Sequence, residues 1–158
     1  MAAWQHDYHI LPQAKLKEFY GRIPESVPEN DYNKFPWWIN VPGPDPLEIG
    51  KILPPMDSWS GQVKIWGSDR GDRLSLYYGE DNTLQSVELR IDLRREFPVI
   101  REFATTLAMY ADLKMWCFCT QSFGILMPDY EVLAKDTSLS SAQEFIDTHP
   151  AAPHVDHL

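Results

Sequence analysis

Residues 87–94 alternate without a break: Val87, Leu89, Ile91 and Leu93 are apolar, while Glu88, Arg90, Asp92 and Arg94 are charged. A helix cannot use that period, because its faces recur every three and four residues. A strand can, since successive side chains point to opposite sides of a sheet. The stretch therefore demands a sheet with one apolar face and one charged face. Whether the charged face is merely wet or is the working surface is what the rest of the chain has to decide.

Two strand-like runs come before it, QVKIWG (62–67) and RLSLYY (73–78), joined by SDRGD. GEDN (79–82) then leads into TLQSVELRIDL (83–93), and these short, turn-rich connections predict an antiparallel meander. Arg70, Gly71 and Asp72 spell an adhesion tripeptide, but a polar turn between two strands accounts for it fully. Beyond Leu93 the period changes. Ile100, Phe103, Ala104, Leu107, Ala108 and Ala111 recur at helical spacing with Pro98 in the first turn, which predicts a main helix lying over Val87, Leu89, Ile91 and Leu93. KMWCFC (114–119) and FGILM (123–127) are apolar on both sides and predict a hairpin of central strands. SSAQEF (140–145) carries a capping-box pattern for a short C-terminal helix.

Upstream of the meander, nine of the 13 prolines fall between Pro12 and Pro55. PWWINVPGPDP (36–46) can sustain neither helix nor sheet, because proline removes donors and restricts the residue before it. It is nonetheless too aromatic for a disordered linker. Residues 12–59 read as an irregular wrap that buries its tryptophans, with helical pieces at 15–20 and 46–53, and WQHDYHIL (4–11) reads as an edge strand. The expected fold is α+β: a mostly antiparallel sheet of about five strands with one main helix on a face. It forms one domain over 1–158, divided into wrap (1–60), sheet and helices (61–148) and tail (149–158).

No apolar run reaches the ~18–20 residues of a membrane span, and MAAWQHDYHI lacks a basic, then apolar, leader. A cytoplasmic protein is expected. The net charge of −9 argues against nucleic acid and anionic membrane as partners and favours a basic protein. Residues 126–158 concentrate that charge, with six acids and one base. Cys117 and Cys119 would share a strand face with Cα atoms roughly 6.5–7 Å apart, at the far edge of disulfide geometry, so buried, reduced thiols are expected. No metal or other cofactor is expected. C-x-C has no second pair, His6 and His9 would face opposite sides of a strand, and His149, His154, Asp156 and His157 lie on an unanchored tail.

No nucleophile elbow, H-E-x-x-H or phosphate-binding glycine loop is present, which points away from an enzyme. Asp92 between Arg90 and Arg94 suits an ion pair better than a general acid. The stripe Glu88, Arg90, Asp92 and Arg94 has two readings. Its charges can pair across strands with neighbours such as Lys64 or Arg73. Alternatively, they line the margin of a surface roofed by the wrap, and the partner-binding candidates are then those four residues with Trp37, Trp38 and Trp59. Asp57, Ser58 and Trp59 stand at a loop-to-strand junction, although Trp59 and Trp66 suit core positions first.

The stretches FPWWINVP, SWSGQVKIWG, VELRIDLR and SSAQEFIDTHP have a bacterial cast. An acidic α+β domain of this size without a catalytic signature resembles the small immunity proteins of bacterial interbacterial-toxin systems. The resemblance implies a non-enzymatic protein that occludes a toxin domain by shape and charge, and it carries over no individual residue. Two other expectations stand beside it. One is a small hydrolase-like enzyme using Asp92, Arg90 and Arg94 in a cleft; the other is a homo-oligomeric adaptor joined through an apolar strand edge.

Overall fold

The computed structural model describes residues 5–92, 94 and 116–127. The expected main helix after Pro98, the C-terminal helix at 140–145 and the histidine-bearing tail lie outside the described residues.

Seven strands form one sheet: β1 (Gln5–Pro12), β2 (Pro55–Met56), β3 (Val63–Gly67), β4 (Arg73–Tyr78), β5 (Leu84–Asp92), β6 (Trp116–Cys119) and β7 (Ile125–Leu126). Their spatial order is β2-β3-β4-β5-β1-β6-β7, and every pairing is antiparallel. The β3–β4–β5 meander and the β6–β7 hairpin fall on the expected segments, but only β6 is central: β7 is a two-residue, half-buried strand that ends the sheet, which corrects its reading as a central strand. The count exceeds five because the N-terminal segment contributes β1 and β2.

The placement of β1 corrects the edge-strand reading. It lies in mid-sheet, paired to β5 from Gln5 opposite Asp92 through His9 opposite Glu88, and to β6 from His9 opposite Cys119 through Pro12 opposite Trp116. Asp7 and His9 are polar residues for an interior strand. They are tolerated there because β5 presents charged residues at the same register.

Alternation sorts the side chains as residues 87–94 require. Tyr8, Leu74, Leu76, Val87, Leu89, Ile91 and Phe118 point to one side and are almost fully buried. Tyr8 and Phe118 stack across β1 and β6 with ring centroids 5.4 Å apart. Burying each such side chain contributes about 1.5–3 kcal/mol, so this face is the main source of stability.

The wrap contains three short helices: α1 (Gln13–Tyr20), α2 (Glu29–Lys34) and α3 (Pro46–Ile49). Helix α1 ends where Gly21 adopts a left-handed conformation and its N–H bonds Lys17 O at 2.8 Å. Helix α3 starts with Asp45 accepting from Leu47 N–H at 2.9 Å and with Pro46 in its first turn. Helix α2 lies in a stretch read as irregular. ENDYNK has no apolar period, but its acids stand in the first turn and Lys34 in the last, as the helix dipole favours.

The wrap also guards both ends of the sheet. Beyond β7, Val27 N–H bonds Phe123 O at 3.0 Å and Ile125 N–H bonds Glu25 O at 2.8 Å, with a bridge between Ser26 and Gly124. At the other end, β2 is two residues long and begins with a proline, a device that blunts an edge. Neither end offers a long bare edge for sheet-to-sheet assembly among the described residues.

Trp37 and Trp38 are buried, as the wrap reading requires. Trp38 meets Trp116 edge-on at 6.2 Å, and Trp37 packs with Phe19 and Phe35. Trp66 belongs to the core, whereas Trp59 is 66% exposed and departs from its expected core position. Cys117 and Cys119 are free and buried on the charged side of the sheet, beside Leu11 and His9.

Candidate functional site on the charged face

The face opposite the apolar core carries three ranks of polar groups. In the first, Asp7, Arg90 and Arg73 lie side by side on β1, β5 and β4. Two arginines directly opposite one another repel, and two acids offset this: Asp7 Oδ1 lies 3.2 Å from Arg90 Nε, and Asp69 Oδ1 lies 3.9 Å from Arg73 Nη1.

The second rank stands at the end of β5. Arg94 forks onto Asp92, with Nε 2.9 Å from Oδ1 and Nη2 3.1 Å from Oδ2. The two side chains are only 5% and 9% exposed. Arg94 also donates to Arg70 O at 3.0 Å, and Asp92 N–H donates to Asp72 Oδ1 at 2.9 Å. The Arg70–Gly71–Asp72 turn is thereby clamped to the sheet. A further reason for the tight turn is Gly67, whose φ of +115° and close approach to Asp72 O leave no room for a Cβ.

The third rank is different. His9, Glu88 and Ser75 share a row across β1, β5 and β4. His9 Nδ1 lies 3.8 Å from Glu88 Oε1, beyond hydrogen-bond reach, and this buried nitrogen has no hydrogen-bond partner. Here the wrap crosses the sheet and leaves a cleft of about 630 Å³. Tyr32, Phe35, Pro36, Trp37 and Ile39 form one wall; the other comes from His9, Leu84, Gln85, Ser86 and Glu88 with the Asp81–Thr83 turn.

Several local features hold this cleft in shape. Trp37 Nε1 donates to Tyr32 O at 2.9 Å, which satisfies a buried indole and fixes the ring. Tyr32 packs on His9 at 4.9 Å and on Phe123 at 5.4 Å. Burial foremost, then Cys119 and Glu88, pushes the Tyr32 hydroxyl well above its ordinary range, so it stays a neutral donor. At the β4–β5 turn, Asn82 adopts a positive φ of 63°. Asp81 there accepts from Thr83 N–H at 3.0 Å, which holds its carboxyl below the usual carboxylate range. The cleft thus has aromatic walls and two carboxylates, and neither lysine nor arginine lines it.

The candidate residues therefore separate. Glu88 lines the cleft and is 40% exposed. Arg90 is held by Asp7 beside a crevice of about 10 Å³, too small for a substrate. Asp92 and Arg94 are committed to each other and to the turn, so Asp92, Arg90 and Arg94 do not converge on a cleft. Trp38 is interior, which corrects its assignment to a contact surface; Trp37 is buried too but forms part of the cleft wall. Trp59 stands on the surface. The cross-strand pairing comes from Asp7 and His9 of β1. Lys64 lies on the other side of the sheet, with Nζ 5.3 Å from the Tyr78 ring centroid.

Asp7, His9, Tyr32 and Asp81 were not singled out from the sequence as partner-binding residues. The first two alternate in HDYH as strand residues should, but their register against β5 is a long-range property. Among the described residues, no group of three or more His, Cys, Asp or Glu side chains is arranged to hold a metal ion. No helix of the described residues is long and apolar enough to cross a membrane. Set against family models, curated proteins and solved structures, the chain matches none of them.

Proposed function

We propose that this chain is a non-enzymatic protein-binding module, and most concretely an immunity-type protein that occludes a basic toxin domain. The observation that carries the reading is the cleft on the charged face: aromatic walls and two carboxylates, on a chain of net charge −9. Buried aromatic anchors with a polar rim are the anatomy of interaction surfaces, and an acidic field speeds capture of a basic partner. Trp59, an exposed large aromatic outside the cleft lining, offers a further contact for a partner. Asp92 and Arg94, which the enzyme reading needs in a cleft, are held in a buried ion pair.

Affinity capture from native lysate tests the reading. The expected result is a basic enzyme retained at low salt, released as salt rises, and inhibited stoichiometrically by the purified protein. Recovery of no protein at low salt, or of one whose activity is untouched, overturns it.

A further inference from the structure

We propose that the cleft between α2 and the β4–β5 turn seats a guanidinium group, the side chain of an arginine presented by the protein partner. The inference rests on the binding-module reading and names the chemistry recognised at its site.

Three observations converge on this assignment. First, Glu88 is the carboxylate of the stripe left without a strong cation among the described residues. Asp7 has Arg90 at 3.2 Å and Asp92 has Arg94 at 2.9 Å, whereas among the described residues Glu88 has a hydrogen bond with Tyr77 and, as an ion contact, only the long one to His9. Second, the buried His9 Nδ1 beside it makes no hydrogen bond and leaves one polar atom at this site unsatisfied. Third, the walls are aromatic, with Tyr32, Phe35 and Trp37 facing a volume of about 630 Å³.

An anionic ligand would meet Glu88 and Asp81 with no lining lysine or arginine to offset them. An apolar ligand would strip water from Glu88 and give nothing back, which is costly for a carboxylate. A cation is the ligand that offsets the negative charge of this lining, with Glu88 as its direct partner. Arginine suits the site better than lysine, because its planar fork matches a carboxylate and stacks on aromatic rings, while an ammonium stays strongly hydrated.

Trp37 supplies the readout, since its indole N–H is fixed to Tyr32 O and sits in the cleft wall. The ¹H–¹⁵N signal of that indole is followed while capped Gly-Arg-Gly, Gly-Lys-Gly and Gly-Glu-Gly peptides are titrated into the full chain. The arginine peptide is expected to move it with millimolar affinity, the lysine peptide several-fold more weakly, and the glutamate peptide not at all. Glu88→Gln keeps the shape and hydrogen-bonding capacity and is expected to weaken arginine binding roughly tenfold, as loss of a charge-assisted bond implies. Asp81→Asn, which can still cap Thr83, is expected to weaken it less.

No response to the arginine peptide, or an equal response to lysine, overturns the assignment. So does a response to indole in place of arginine, or a Trp37 signal that moves with protein concentration alone, the mark of a second copy in the cleft. Loss of the peptide response with lysate capture intact sinks this assignment and spares the binding-module reading. A Glu88-dependent arginine response with no captured protein supports the cleft chemistry and sinks that reading instead.

Discussion

Asp7 and Arg90 face each other across β1 and β5, 83 residues apart in the chain, with Arg90 Nε 3.2 Å from Asp7 Oδ1. The contact answers much of what the alternating stretch asks. Most of the charged stripe is engaged in ion pairing, and the strand that pairs with it comes from the N-terminal segment. Arg73 stands on the other side of Arg90, so Asp7 separates a functional-looking stripe from an electrostatically strained one.

Asp7→Asn is therefore expected to destabilise the protein by about 1 kcal/mol, the upper end for a partly exposed pair, because Arg90, which stands opposite Arg73, loses its counter-charge. Urea denaturation with and without added salt checks this. The deficit should shrink as salt screens the Arg73–Arg90 repulsion.

Gly67→Ala places a Cβ against the carbonyl of Asp72 at a φ that side chains rarely adopt. A loss of about 2 kcal/mol or more is expected, visible as a fall in Tm, since about 1 kcal/mol corresponds to roughly 2–4 °C at this size. Gly61→Ala, where nothing lies within 4 Å, is the control and should change Tm little.

The tryptophans divide into interior and surface, and truncation separates them. Trp38→Ala should cost about 3–5 kcal/mol as a cavity opens beside Trp116, whereas Trp59→Ala should stay within about 0.5 kcal/mol. Thermal unfolding gives both numbers. If Trp59 is a binding anchor, its truncation lowers partner capture while Tm holds.

Alkaline pH should weaken the fold through Cys117 and Cys119. Burial pushes both thiols up to about 12, from an ordinary value of about 8.5. The unfolded chain therefore releases these protons first, and the folded state keeps them across that interval. Their contribution is intact below about pH 8.5 and is lost progressively as pH climbs toward 12, at about 1.4 kcal/mol per unit for each thiol. Denaturant titrations between pH 7 and pH 10 should show a falling midpoint, and replacing both cysteines with alanine should flatten that slope.

The meander was legible because its determinants are local. Residues 87–94 show the period of two, and GEDN and SDRGD announce the turns. Helix α3 announced itself through Asp45 and Pro46. The central position of β1 was not legible, because it depends on matching Asp7 and His9 to Arg90 and Glu88 across more than eighty residues. Helix α2 was hidden by its polarity: it buries no residue and shows no stripe. Of the cleft, only Glu88 and Trp37 were marked in advance. Its other contributors come from segments unremarkable in isolation and brought together by the wrap.

The interior position of the first strand constrains how the chain can be made. Residues 5–12 leave the ribosome well before the strands that flank them on both sides, which end at Asp92 and Cys119. Until Asp92 has emerged that segment has two unsatisfied hydrogen-bonding sides, and until Cys119 has emerged it still has one. Closure by such distant partners is slow and leaves time for misassociation. Synthesis paused shortly before residue 116 should yield a ribosome-bound intermediate that is protease-sensitive and sought by chaperones.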